Sequence, residues 1–239
     1  MQTKNIFHQD WNFFDLKGKV NSLSETSYLA IEKNDEILKG KISADISDEF
    51  GQLLVFDNTG LLLVHNLYNS YGKLEDRQTY KYDYKGNQIE TSKYNSKGRF
   101  QGKTTFKYNK NGKWIEVKAY DAQGILIFNS DISGYESDKS NNKSNGSYER
   151  LYNFKYDDRG NIIEENIVNT DDESINGKII YRFDDMGNMV EANSYNLDGN
   201  LGSKKTFNYD YDKTGNWIKQ IKVEDGIPKY IIEREIVYF

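Results

Sequence analysis

A five-residue signal recurs ten times in this chain of 239 residues and dictates most of what the chain can become. It is an aromatic residue, then Asp or Asn, two variable positions and Gly. Copies begin at Phe56, Tyr68, Tyr82, Tyr94, Tyr108, Tyr120, Tyr156, Phe183, Tyr195 and Tyr211. An Asp or Asn at this place accepts hydrogen bonds from backbone N–H groups ahead of it. Gly at the fourth turn position takes φ > 0 without a Cβ clash. The pattern is that of a type I turn closed by a glycine bulge, which joins two antiparallel strands in register. From Phe56 to Tyr120 the copies lie 12, 14, 12, 14 and 12 residues apart. Alternating spacings put successive turns at opposite ends of the strands. The predicted unit is a β-hairpin of about 26 residues, and an array of such units must stack to bury its faces.

The two series of turns differ. One prefers Asn after the Gly (Asn87, Asn161, Asn188, Asn216), with Leu61 and Lys113 as exceptions. The other carries Lys73, Arg99 and Ile125, with Asn200 as its exception. All of these residues are read as turn chemistry.

The strands between turns alternate. Leu74, Tyr80 and Tyr82 share a face by period two, as do Phe100, Phe106 and Tyr108, and Leu201, Phe207, Tyr209 and Tyr211. After Gly112 the alternation sets Ile115, Val117 and Ala119 on one face, and Trp114, Glu116, Lys118 and Tyr120 on the other. Both faces then carry apolar area, which a flat sheet would expose. The expected fold is all-β: an antiparallel meander of hairpin repeats, twisted and curled into an open barrel or roll. Leu61-Leu62-Leu63-Val64 reads as a strand buried on both faces. Lys17 to Ala30 and Glu36 to Ile46 read as two earlier strands, with Glu32–Asp35 as their loop. The last strand runs from Lys229 to Phe239. An apolar strand at the chain end is a pairing hazard, so it must be covered, for example by the first strand, or serve as an interface.

Residues 1–14 carry Phe7, Trp11, Phe13 and Phe14 without a strand rhythm. They form a predicted cap, a short helix or ordered arm over one end of the array. Residues 15–239 form one repeat domain. Its rhythm breaks at about 129–147, where Ser137–Ser147 has no apolar residue and reads as a flexible insertion. Near Asn169–Gly177 the turn is degenerate and acidic.

Only 36 % of residues are apolar, while Tyr (19) and Phe (12) are abundant, so burial rests largely on aromatic rings. There is no Cys, which removes disulfides, zinc–thiolate sites and thiol nucleophiles. The net charge of −5, with both signs interspersed, argues against non-specific nucleic-acid binding. No apolar run approaches the ~20 residues of a membrane-spanning helix. The N-terminus has no apolar secretory segment, so the chain is either cytoplasmic or begins after a removed signal.

Chemistry is sparse. His8 and His65 are the only histidines, and His65 sits in an apolar strand as a packed or edge residue. Gly98–Thr104 imitates a phosphate loop but has three residues between its glycines where four are needed. Asp210–Gly215 imitates a calcium loop, but Ile221 stands at the twelfth position where Glu is required. Paired acids such as Asp157/Asp158 and Asp184/Asp185 recur at turn positions. No cofactor, metal site or enzymatic centre is expected.

Tyr156-Asp157-Asp158-Arg159-Gly160-Asn161-Ile162-Ile163-Glu164 and Tyr211-Asp212-Lys213-Thr214-Gly215-Asn216-Trp217-Ile218 resemble the YD repeat of the Rhs family. The likeness covers roughly residues 50–239. It implies repeats used as sheet shells or surface scaffolds, with carbohydrate binding in some members. The chain is too short for an enclosing shell, and no toxin-like domain follows the repeats. It looks more like the small stand-alone repeat proteins of bacteria, and more distantly like antitoxin-like hairpin-repeat proteins.

Trp114 and Trp217 occupy the same place in two repeats, with Tyr120 and Tyr195 farther along equivalent strands. These four aromatics are the candidate binding face, able to stack on sugars or anchor a protein, unless they cover the sheet against solvent. The expectation is a non-enzymatic binding or scaffold protein for a glycan or protein partner at the bacterial surface or periplasm. The alternative is a cytoplasmic immunity or antitoxin-like protein.

Overall fold

The computed structural model describes residues 9–42, 51–131, 151–168 and 175–239. They form an all-β protein. The first half contains β1 (Val20–Lys33), β2 (Glu36–Ile42), β3 (Gly51–Phe56), β4 (Leu62–Tyr68), β5 (Leu74–Tyr82), β6 (Gln88–Asn95), β7 (Phe100–Tyr108), β8 (Trp114–Asp121) and β9 (Leu126–Asp131). The second contains β10 (Leu151–Tyr156), β11 (Ile162–Val168), β12 (Ile175–Phe183), β13 (Met189–Tyr195), β14 (Leu201–Tyr211), β15 (Trp217–Glu224) and β16 (Ile227–Tyr238).

Every turn of the series closes as its residue types require. In the first, Gly60 N donates to Asp57 O (3.1 Å), while Asp57 Oδ1 accepts from Thr59 N (2.8 Å) and Leu61 N (3.0 Å). The bond from the Gly N–H to the Asp or Asn carbonyl recurs at the other nine turns, and a register shift separates each aromatic from the residue before it. We call the end holding the turns after Phe56, Tyr82, Tyr108, Tyr156, Phe183 and Tyr211 proximal. The end holding those after Tyr68, Tyr94, Tyr120 and Tyr195 is distal.

All strands belong to one antiparallel sheet, ordered β10-β11-β12-β13-β14-β15-β16-β1-β3-β4-β5-β6-β7-β8-β9. The last strand is covered by the first, as the pairing hazard required: Leu23 lies opposite Ile236 and Tyr28 opposite Ile231. β1 is therefore central. Along its other side β3 and β2 follow one another as a single interrupted return strand. Among the described residues this path ends at β9 and β10, β2 pairs β1 alone, and the sheet is not closed into a barrel. The sheet is an open roll.

The core forms on one face at the central strands. Val20, Leu23, Leu54, Phe56, Leu62 and Tyr80 are buried there, with Leu16, Trp11, Phe14, Tyr82, Ile236 and Tyr238 packed against them. Of the apolar run at 61–64 only Leu62 is buried, and Leu63 is 37 % exposed. A bulge opposite Val55 turns Leu62 inward and Leu63 outward.

Among the described residues of the N-terminal segment, 9–19 form an arm of turns and no helix. It covers the seam between β16 and β1, because pairing of the two chain ends has placed that seam mid-sheet. Trp11 N donates to Gly60 O (3.2 Å) and Trp11 Nε1 to Val20 O (2.8 Å). On the other side Lys17 N donates to Asn216 Oδ1 (2.8 Å). Phe7, His8 and most of the expected insertion lie outside the described residues; Asn129–Asp131 belong to β9. The degenerate turn at 169–174 also lies outside them.

The face opposite the core repeats a charge pair. Lys81 faces Glu90, Lys107 faces Glu116, Lys155 faces Glu164 and Arg182 faces Glu191. In the last repeat the signs exchange, Asp210 facing Lys219, and in the first both members are Val, Val55 and Val64. Glu90 is held below the ordinary 4.5 first by Lys81, Glu116 by Lys107, Glu164 by Lys155 and Glu191 by Lys204. Folded values below the unfolded one give stability that is present above the unfolded pKa and is lost as pH falls through the folded values. Melting temperature measured from pH 7 to pH 2 should therefore decline below about 4.3. Glu→Gln at all four positions should flatten that decline.

Candidate functional site

The bulges that accompany the turns rearrange the expected aromatic face. Partners across an antiparallel ladder share a face. Trp114 lies opposite Tyr108 and Val117 opposite Phe106, while Tyr120 lies opposite Lys103. The shift between Lys107 and Tyr108 inserts one residue, so Trp114 shares its face with Val117, and Tyr120 is on the other side. Trp217 likewise lies opposite Tyr211 on the core face. Tyr195 faces Lys178 on the face of the charge pairs. Trp114 and Trp217 share a face but stand eight strands apart in the sheet, about 38 Å at ordinary strand spacing. The four residues form no common patch.

Their local partners differ as well. The Arg234 guanidinium lies over Trp217, with Cζ 3.3 Å from the ring centre, and Tyr209 packs beside the indole at 5.9 Å. Lys103 Nζ sits 5.9 Å from the centre of the Tyr120 ring and Lys178 Nζ 5.2 Å from that of Tyr195.

The structure instead gathers side chains along the row of proximal turns. A shallow groove of about 820 Å³ opens between the turn 57–60 and the turn 83–86. Leu61, Leu63 and Ile89 are its apolar lining, with Tyr80, Tyr82, Tyr84 and Lys85 also bordering it. Tyr84 is 92 % exposed, with Lys85 Nζ 5.5 Å from its ring centre. The same construction recurs as a groove of about 500 Å³ between the turns 157–160 and 184–187. There Asp185 stands at the position of Tyr84, Met186 at that of Lys85, and Arg159 crosses to Asp185 O (3.1 Å). The sheet thus builds one scaffold twice and equips it differently, aromatic and cationic in one copy, acidic in the other.

The groove's polar groups are already engaged. Tyr82 Oη donates to Leu62 O (2.7 Å), as Tyr108 Oη does to Gln88 O (2.9 Å) one repeat on. Burial, and then Asp76, push the Tyr80 hydroxyl up to about 12, and burial raises Tyr82 further. Burial opposes ionisation of Asp57, but hydrogen bonds from Thr59, Leu61 and Gly60 outweigh it and hold the carboxyl below 3.8. His65, in β4, is lowered from 6.5 by burial against the opposing charge of Asp76. At neutral pH the phenols are protonated donors, the turn carboxylates are ionised and tied to backbone, and the imidazole is neutral.

Tyr84 is marked in the sequence by its residue type. At the first variable turn position the other copies carry Asn58, Ser70, Ser96, Lys110, Ala122, Asp158, Asp185, Leu197 and Lys213. The turn asks nothing of that side chain, so a large aromatic ring there is surplus to folding.

No family model and no curated protein matches the chain. Among solved structures it is similar to a porin-like protein from Bacteroides uniformis, with 10 % identity, 92 % of this chain and 98 % of that one covered, and a TM-score of 0.37. It is also similar to a putative outer membrane lipoprotein-sorting protein domain from Vibrio parahaemolyticus, with 12 % identity, 90 % and 85 % covered, and a TM-score of 0.26. Likenesses this loose carry no functional information. Among the described residues no helix is long and apolar enough to cross a membrane.

Proposed function

We propose that the chain is a non-enzymatic hairpin-repeat protein of the YD-repeat type that binds a glycan in the groove between the turns 57–60 and 83–86. The observation that carries this reading is Tyr84, a fully presented ring at a position where the turn needs no side chain. An exposed aromatic ring beside Leu61, Leu63 and Ile89, with Lys85 at the rim, suits a sugar, which offers an apolar face for stacking and hydroxyls for hydrogen bonds. The titration states support binding over catalysis, since general acid–base chemistry wants a group poised near the working pH. Glycans of this kind are met at the bacterial surface or periplasm.

The test is a glycan array probed with wild type and with Tyr84→Ala. Loss of at least about tenfold in affinity, roughly 1.4 kcal/mol, is expected in the variant. Wild-type binding to no glycan, or full binding by the variant, would overturn the proposal. A protein captured by wild type and released by Tyr84→Ala would shift the reading to protein recognition at the same groove.

A further inference from the structure

We infer that the outer edge of β9 is a homodimer interface, on which β9 of a second copy pairs antiparallel about a two-fold axis normal to the sheet. Ile125, Leu126, Ile127 and Phe128 are each between 48 and 67 % exposed. Ile125 leads into β9 and the other three stand on it, and no described strand satisfies the outer backbone groups of β9. Natural edges are blunted by Lys, Pro, bulges or covering segments. From Ile125 to Ser130 this edge has no charged residue and no Pro.

Strand direction and charge select the occupant. β9 follows a distal turn and runs toward the proximal end. β10 precedes a proximal turn and also runs toward the proximal end. The two free edges are therefore parallel within one sheet, and β10 cannot supply the antiparallel partner that every other strand has. A two-fold normal to the sheet can. It sets β9 against an antiparallel β9 and keeps both core faces on the same side, so the sheet grammar continues across the junction. Such an interface is isologous and must tolerate its own sequence opposite itself. The uncharged stretch Ile125–Ser130 does so, with Asp131 at its end. β10 carries Lys155, which a two-fold would bring toward its own copy.

The experiment is sedimentation equilibrium across micromolar concentrations on wild type, Ile127→Lys and Ile127→Glu. Position 127 is exposed, so its substitution spares the core, and circular dichroism checks the sheet. Wild type is expected to be dimeric, and each variant to dissociate with at least a 100-fold higher Kd. The two variants mixed should associate again, because the two-fold sets position 127 of one copy close to position 127 of the other. A monomeric wild type would overturn the inference, as would dimers unchanged by either substitution or a mixture that stays monomeric. Amide exchange at 126–130 adds an independent reading. Protection that rises with concentration supports the dimer. Protection in a dilute monomer would mean that another part of the same chain lies along β9, and would overturn it.

Discussion

Replacing Gly102 with Ala should destabilise the protein by about 3 kcal/mol, since a left-handed backbone and a steric clash each cost about 1–3 kcal/mol. The corresponding fall in melting temperature is about 6–12 °C for a chain of this size. Gly102 has φ +147°, a conformation L side chains rarely adopt, and a Cβ there would stand 2.4 Å from the Tyr120 carbonyl oxygen. That oxygen is backbone of the neighbouring strand β8, so relief requires β7 and β8 to spread and to weaken their ladder. Gly98→Ala, four residues earlier, is the control. Gly98 also has positive φ (+71°) but nothing lies within 4 Å of its Cβ position, so it should cost only the left-handed penalty, about 1–2 kcal/mol. Thermal unfolding of the two variants beside wild type checks the order. Equal losses would mean that the close approach of Gly102 to β8 carries no energy. The stretch Gly98–Thr104, which looks superficially like a phosphate loop, is thereby accounted for by strand packing.

The hairpin array was legible because its determinants are local. Asp57 and Gly60 meet within four residues, and a turn of that kind forms whatever surrounds it. The cover over the last strand was legible too, since an apolar end strand must pair. What was not legible depended on one-residue shifts. The bulge beside Tyr108 moves Trp114 across the sheet relative to Tyr120, and no alternation pattern marks where a bulge falls. Period two continued through it sets the four aromatics on one face, which the bulges divide. The charge pairs were hidden for a related reason. Lys81 and Glu90 look like scattered charges until the register sets them opposite each other. The exchange to Asp210 and Lys219 and the substitution by Val55 and Val64 then show that the position demands complementarity and not a particular residue. Tyr84 is hidden because the turn motif is defined by the residues it needs, and the first variable position is not one of them.

Arg234→Ala should cost about 3–5 kcal/mol, the loss seen when one partner of a buried ion pair is removed. Arg234 Nε donates to Glu25 Oε2 at 2.7 Å, with both side chains only 14 % exposed. Gln52 Nε2 donates to the other Glu25 oxygen at 3.2 Å, the guanidinium lies on Trp217, and Gln220 Nε2 holds the neighbouring Tyr209 hydroxyl at 2.8 Å. The cluster thus ties β3, β1, β16, β15 and β14 together across the seam where the chain's two ends meet. Removing the guanidinium strands the Glu25 carboxylate with Gln52 alone and strips Trp217 of a cation–π contact worth about 0.5–2 kcal/mol. Arg234→Lys keeps the charge but not the planar stack, so it should fall between wild type and Ala. The double variant Glu25→Gln/Arg234→Met removes both charges while keeping volume, and should cost less than Arg234→Ala alone. Urea unfolding of the four proteins at one pH measures the order. If Arg234→Ala loses less than about 1 kcal/mol, as an exposed pair would, the seam is held by the β1–β16 ladder and its apolar residues, and Trp217 is free of the structural duty assigned to it.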